Sequence, residues 1–532
     1  MCDLELLLNG GFSPLSGFMG SADHREVCDR MRLADGTLWP IPVTLDIPEA
    51  LASRLSVGAK LSLRDPEGVM LSALDVDEVW QPDWETEAES VFGTLEHSHP
   101  GVSYLVHRTH RWRVGGRVRG LQLPTHYDFL SLRQSPSEVR AAFAKLGWER
   151  VVAFNTRNPM HRVHYELTLR AIRDYDVKLL IHPVVGMTKS GDIDHTTRVR
   201  CYQAMLRHYP PNTAMLALLP LAMRMAGPRE ALLHAIVRKN YGCSHLIVGR
   251  DHAGPGVNAQ GQPFYDVFAS QRLARQHSQE LGITIVPFPV MVYVKELDHY
   301  VPEAEVPQGA TPVSISGTEL RRRLADGRDV PPWFTFPEIA SILRETHPVR
   351  SHRGFTVFFT GLSGAGKSTI ANILMARLLE RGGRRVTLLD GDVLRKVLSK
   401  DLDFSKADRD AHIRRVAYVA AEITKHGGVA ICAPIAPYEA ARQEARRTVE
   451  AFGGFILVYV KTPLDVCEAR DRKGLYAKAR AGLIENFTGI SDPYEPPSDP
   501  DVAISTNDLS AKLAAEEVIR FLESEGYLEG LE

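Results

Sequence analysis

The pattern of hydrophobic and polar positions changes texture near residue 135 and is interrupted near residue 346. Before residue 135 the apolar runs are short and alternate with polar residues, as in Ile41-Pro42-Val43-Thr44-Leu45-Asp46-Ile47 and Val69-Met70-Leu71-Ser72-Ala73-Leu74. Turn signals separate them, notably Asp65-Pro66-Glu67-Gly68 and Gly115-Gly116, so residues 1–134 predict a small, mostly β domain. From Ser135 onward, continuous apolar runs alternate with segments of helical period. Ser135-Pro136-Ser137-Glu138 predicts a helix start, with Ser135 as N-cap, Pro136 in the first turn and Glu138 closing a capping box. Buried strands are predicted at 151–154, 179–185, 215–219, 245–249 and 283–286, and helices at 165–173, 199–207 and 229–239. This alternation predicts a doubly wound α/β domain over 135–345, whose ligands bind at the carboxyl ends of the strands.

Pro331-Pro332-Trp333 and the stretch from Thr346 to Gly354 break the pattern, and 346–354 reads as a linker. Beyond it, 355–532 predicts a second α/β domain, with strands at 355–359, 386–389, 429–432 and 456–460. The first strand runs into Gly361-Leu362-Ser363-Gly364-Ala365-Gly366-Lys367-Ser368-Thr369 and then a helix, which is phosphate-binding geometry. Glycines let the N–H groups of this loop converge on phosphate oxygens, and the helix N-terminus adds its dipole. Lys367 reaches the β- and γ-phosphates, and Ser368 can ligate Mg²⁺. The next strand ends in Asp390-Gly391-Asp392, with Arg395 one turn later, and two carboxylates beside a phosphate loop suit Mg²⁺ and a hydroxyl acceptor. Lys473-Gly474-Leu475-Tyr476-Ala477-Lys478-Ala479-Arg480 reads as a basic lid, with an exposed charged helix as the alternative.

In the middle domain, three strand ends carry charge together with glycine or a helix start. After the first come Asn155-Thr156-Arg157-Asn158-Pro159-Met160-His161-Arg162-Val163-His164, where the two imidazoles fall on one helical face. With 20 histidines about one such spacing is expected by chance, and His107-Arg108-Thr109-His110 is treated as that one; position at a strand end distinguishes the other. Gly186-Met187-Thr188-Lys189-Ser190-Gly191-Asp192 and Gly249-Arg250-Asp251-His252-Ala253-Gly254-Pro255-Gly256 each pair a basic residue with glycines that admit an anion. No Gly-x-Ser-x-Gly elbow and no cysteine in the charged loops offers an activated nucleophile, so charge neutralisation and alignment carry the chemistry.

The chain of 532 residues, 44% hydrophobic and 24% charged, is ordinary globular material. A net charge of −2 gives no support to non-specific nucleic-acid or membrane binding, so any anion site is local. Arg108, His110, Arg111, Arg113, Arg117 and Arg119 could form a nucleic-acid patch. Gly115-Gly116 and the alternating Val and Trp favour instead a hairpin with one solvated face. Six scattered cysteines without a C-x-x-C pair argue against zinc and a disulfide framework, and they read as reduced packing residues. With no signal peptide and no membrane-length apolar run, the expectation is a soluble, cytoplasmic protein.

Asn155 to His164, Lys189 to Tyr202, Met223 to Asn240, Gly249 to Gly256 and, near the start, Asn9-Gly10-Gly11-Phe12-Ser13-Pro14-Leu15 resemble ATP sulfurylase, to about residue 345. The resemblance implies a PUA-like first domain and a nucleotidyltransferase second. It implies that Asn155, Arg157 and the Ala253 backbone hold sulfate, while Asn158, His161, His164 and Arg250 grip the ATP phosphates. Members usually have Gln where Asn155 stands, one methylene longer, and the chain starts late by comparison, so the β domain is expected to lack its first strands.

Gly361 to Thr369, Asp390 to Arg395, Phe404 to Arg415, Lys473 to Arg480 and Phe487-Thr488-Gly489-Ile490 resemble adenylylsulfate kinase. That resemblance implies a P-loop kinase fold in which Gly361, Ser363, Gly364, Ala365, Gly366, Lys367, Ser368 and Thr369 bind ATP. Asp392 would be general base for the 3′-hydroxyl, and Asp390 with Ser368 would lie at Mg²⁺. Arg395, Phe404, Arg409, Phe487 and the lid residue Lys478 would hold adenylylsulfate. Val393 and His412 stand where many members have Asn, and Ala436 where many have Ser, which excludes a phosphoseryl form there.

Together these readings make a bifunctional sulfate-activating enzyme with ATP, sulfate, pyrophosphate and adenylylsulfate as partners. It uses Mg²⁺ with ATP and is expected to be a homo-oligomer, dimer or higher, without nucleic acid or membrane. The alternatives are a regulatory, non-catalytic last domain, a sulfurylase running backward to make ATP, and an unrelated nucleotidyltransferase fused to another kinase.

Overall fold

In the computed structural model, residues 1–188, 192–346, 348–471 and 473–529 are described. They divide into two units, Met1–Leu320 with Val330–Thr346, and Arg321–Asp329 with His347–Glu532.

The first unit begins with an antiparallel sheet ordered Gly17–Phe18, Trp112–Gly120, Met70–Trp80, Lys60–Arg64, with Leu45–Ile47 also paired to Trp112–Gly120. Around it lie helices that the alternating pattern did not signal, among them Cys2–Asn9, Ser21–Arg30, Trp84–Phe92 and Pro100–Arg108. One carries ordinary stop and start marks. The Asp83 side chain accepts from the Glu85 N–H at its start, and Gly93, at φ 69°, ends it.

The hairpin expected at Gly115-Gly116 is not formed, because Trp112–Gly120 is one strand pressed closely by its neighbours. A Cβ on Gly115 would lie 2.7 Å from Gly20 Cα, and one on Gly116 only 1.9 Å from the Asp75 carbonyl oxygen, so these glycines mark close approach rather than a turn. The charge run is divided accordingly. Arg108 ends a helix, Arg113 is buried and donates to the Thr109 hydroxyl, and Arg119 pairs with Asp75.

The second sheet is parallel throughout, in the order Thr284–Pro287, His245–Val248, Val151–Phe154, Lys178–Ile181, Ala214–Leu216. All five strands stand where the apolar runs predict, and the helix Pro136–Leu146 has the expected capping box. Strand order reverses between Val151–Phe154 and His245–Val248, so the loops after those two strands open into one crevice. A small antiparallel sheet, with Met291–Val294 at its centre, follows. Phe12, Trp39 and Val114 of the first domain share one hydrophobic core with Leu180, Leu233 and Leu246 of the second.

The second unit holds a parallel sheet ordered Val386–Asp390, Val429–Ala433, Phe355–Thr360, Gly454–Val460, Val502–Ile504. Its two faces bury separate cores, one packed by Ile370, Leu374 and Val518, the other by Val416, Ala420 and Ala445. The reversal here falls at Phe355–Thr360, whose carboxyl end leads into the glycine-rich loop.

Candidate functional site

In the first unit the crevice is a cavity of about 430 Å³, walled by Asn155, Arg157, Asn158 and His164 from one loop and by Arg250, His252 and Ala253 from the other. Local bonds fix both loops. The Thr156 hydroxyl donates to the Asn158 carbonyl, which also accepts from the Tyr202 hydroxyl at 2.8 Å. Asp251 and Ala253 take left-handed backbone at φ 49° and 57°, and the Ala253 carbonyl accepts from the Gly227 N–H.

Arg157 donates to Asp192 at 3.1 Å, and Arg250 is exposed in the wall. The sequence expectation for Lys189, Ser190 and Gly191 falls outside the described residues. The two histidines lie at different depths. His164 lines the cavity and its Nδ1 accepts from the His161 N–H at 2.9 Å. His161 is not in the wall; it is buried, against Phe334 and within 3.1 Å of the Thr335 hydroxyl, so the pair does not converge on one point. Burial pushes the pKa of His161 down to about 3 and that of His164 to about 4, so both imidazoles are neutral near pH 7.

Behind the wall residues Asn155 and His252 sit two polar groups, Arg238 and His234, that the strand-end pattern did not mark as part of a site. Arg238, on the helix Gly227–Asn240, is completely buried and donates through Nη2 to Asn155 Oδ1 and to the His182 carbonyl. His252 and His234 are buried with Nε2 and Nδ1 2.9 Å apart. Phe288, Pro289, Val290 and Met291 form the apolar side of the cavity, and their only sequence signal is their place just after the last parallel strand.

In the second unit, Gly361, Gly364 and Gly366 have φ values of 144°, 77° and 108°, which turn the Gly361–Thr369 backbone into a loop at the start of the helix Lys367–Arg381. Lys367 donates to the Gly361 and Leu362 carbonyls, both at 2.8 Å, and burial lowers its pKa to about 8. Ser368 donates to Asp390 at 3.1 Å, and Asp390 also caps the next helix by accepting from the Asp392 and Val393 N–H groups. These are hard oxygen donors side by side, a set that fits Mg²⁺ rather than a softer metal. Asp392 is ion-paired with Lys473, a contact with no sequence signal beyond the charge of the lid.

Arg395 and Arg409 approach the Phe404 ring at 4.7 and 5.7 Å, and Arg409 donates to Thr488 and the Asn486 carbonyl. Phe404 is exposed, whereas Phe487 is buried against Tyr476. The lid stretch contains the helix Leu475–Arg480, docked by the Tyr476 hydroxyl on the Ser363 carbonyl, with Lys478 exposed. Val393 is exposed. His412 is buried beside the Ser399 hydroxyl, a packing role. Ala436 sits in left-handed backbone, its carbonyl accepting from Thr360 and Arg442. A second cavity of about 580 Å³, lined by Leu362, Lys461, Thr462 and Tyr494 among others, lies beside this loop.

Comparison with known proteins matches each part of the chain to a family model: a PUA-like domain over residues 1–123, ATP-sulfurylase over 130–346 and adenylylsulphate kinase over 353–505. Sulfate adenylyltransferase of Neurospora crassa is 52% identical, covering 99% of this chain and 93% of that protein. The protein of the same name from Yarrowia lipolytica is 50% identical, over 99% and 92%. A solved structure, "Hexameric APS kinase from Thiobacillus denitrificans", is similar over 99% of this chain and 92% of that one, at 39% identity and a TM-score of 0.81.

Proposed function

The chain belongs to the sulfate adenylyltransferase family, and on that premise we propose which residues carry its two reactions. It is a sulfate-activating enzyme with a nucleotidyltransferase domain and a kinase domain: ATP and sulfate give adenylylsulfate and pyrophosphate, and a second ATP then phosphorylates adenylylsulfate on its 3′-hydroxyl. The observation that carries this reading is the presence of two phosphate-binding loops at strand ends, one in each unit, each with its own cations.

In the first unit, Arg157, Asn155 and the Ala253 N–H hold sulfate while Asn158, His164 and Arg250 hold the ATP phosphates. His161 supports His164 from behind through its backbone N–H. A sulfate oxygen attacks the α-phosphorus, the α–β bridging bond breaks, and its electrons leave on pyrophosphate, where the Arg250 charge and the His164 N–H are directed. In the second unit, MgATP is the substrate, with Lys367 and the loop N–H groups on its phosphates and Ser368 and Asp390 as the oxygen donors for its metal ion. Asp392 takes the 3′-hydroxyl proton as that oxygen attacks the γ-phosphorus, and ADP leaves. Arg395, Phe404, Arg409 and Lys478 hold the acceptor, and Phe487 supports them through Tyr476. Self-association is part of this proposal, because the similar Thiobacillus protein is described as hexameric. So is a cytoplasmic location, which suits six free thiols; among the described residues no helix is long and apolar enough to cross a membrane.

The test is to incubate the protein with MgATP, labelled sulfate and inorganic pyrophosphatase and to separate the labelled nucleotides. The expected product is 3′-phosphoadenylylsulfate, with Lys367→Ala stopping at adenylylsulfate. An intact protein that stops at adenylylsulfate, and does not phosphorylate added adenylylsulfate, would make the last domain regulatory.

A further inference from the structure

Arg238 has no ion-pair partner among the described residues, and its Nε and Nη1 are buried without a hydrogen-bond partner there. Among the described residues its one hydrogen bond to a side chain runs from Nη2 to Asn155 Oδ1 at 2.5 Å. An arginine offers donors only, so chemistry fixes which end of the Asn155 amide faces it: the oxygen. The two amide N–H groups are then what Asn155 can present from the cavity wall, where it stands beside Arg157 and the Ala253 loop. A free amide would sample both flips, one offering an anion two donors and the other a repelling oxygen.

We propose that Arg238 is a positioning and specificity residue for the first reaction: it locks the Asn155 amide with its donors toward sulfate and sets behind that contact a positive charge with no ion-pair partner among the described residues. This rests on the reading of Asn155 as a sulfate ligand. A dianionic tetrahedral oxyanion gains from both effects, whereas ATP, gripped by other residues, gains little. Short Asn155 needs such a lock because it reaches less far into the cavity and cannot adjust its approach by bending a longer stem.

The experiment is a double-mutant cycle read as separate KM values for sulfate and ATP. Asn155→Ala and Arg238→Lys are each expected to raise the sulfate KM about tenfold or more, with the ATP KM within about twofold of the unaltered protein. In the Asn155→Ala background, Arg238→Lys should add less than about twofold. If Arg238→Lys raises the sulfate KM equally in both backgrounds, the positioning role is overturned while the sulfate reading stands. If Asn155→Ala leaves the sulfate KM unchanged, the sulfate reading fails and the proposal with it.

Arg238 is deeply buried, so a second variant tests the contact without altering it. Asn155→Asp puts a carboxylate against the guanidinium and leaves no donor for the anion. It should melt at or above Asn155→Ala while losing at least as much sulfate affinity. A lower melting temperature than Asn155→Ala would show that no cation stands behind residue 155 and would overturn the proposal.

Discussion

At His164 one backbone N–H decides what the imidazole can offer. Because Nδ1 accepts from His161, the proton sits on Nε2, and burial keeps the ring neutral down to about pH 4. In the proposed role of phosphate partner, His164 is then a neutral N–H donor, not a cation. Gln can place an N–H near the same point, so His164→Gln should recover at least about tenfold of the kcat/KM for ATP lost in His164→Ala. A Gln variant no better than Ala would mean that a charged imidazolium does the binding. The same burial has a stability consequence with a definite sign. The folded pKa values of His161 and His164 lie below the unfolded value of 6.5, so their contribution is present above pH 6.5 and is lost as pH falls toward 4 and 3. Urea unfolding of the first unit should therefore show a midpoint that drops across that window, and less so in the His161→Phe variant. Lys367 titrates with the opposite functional sign. Its ammonium must be charged to meet phosphate and its folded pKa is about 8, so kcat/KM for MgATP in the kinase step should fall above pH 8. The kcat profile should extend further into alkali, because bound phosphates favour the charged form.

At the scale of elements, the strand Trp112–Gly120 shows how a local signal is overruled by its neighbours. Gly115-Gly116 resembles a turn when only the chain is considered, yet it is where three strands crowd together. Gly116→Ala sets a methyl 1.9 Å from the Asp75 carbonyl oxygen, a backbone atom that cannot swing aside, and should destabilise the first unit by about 3 kcal/mol or more. Thermal unfolding would read this as a lowered first transition, and an unchanged melting temperature would mean that the bulge opposite, between Val76 and Glu78, can absorb the methyl. The central parallel strands were legible because they are buried on both faces and so appear as apolar runs, as in Val151–Phe154 and Phe355–Thr360, whereas the short, partly buried edge strand Val502–Ile504 gave no such signal. The helices of the first 134 residues were not, since Cys2–Asn9 and Trp84–Phe92 are short and present an apolar edge barely two turns long. The same limit applies to the sites. Loops at strand ends announce Arg157, Arg250 and Lys367, and the lid's charge announces Lys473, whereas the contacts of Arg238 with Asn155 and of Lys473 with Asp392 become visible only when the fold brings them together.

For the whole molecule, the two reactions in one chain bear on the energetics of the first. Forming adenylylsulfate from ATP and sulfate lies far toward ATP, so the sulfurylase step alone accumulates little product unless something consumes it. The kinase unit is such a consumer, and it draws on a second ATP whose phosphoryl transfer is favourable. Without pyrophosphatase, the unaltered protein with excess MgATP should therefore convert far more labelled sulfate to nucleotide than Lys367→Ala does. Adding separate, active kinase to Lys367→Ala should restore the yield. That restoration would make the advantage one of mass action. A persistent deficit at saturating added kinase would instead mean that linkage of the two units in one chain does more than remove a common intermediate from solution, and the ratio of the two yields measures how much.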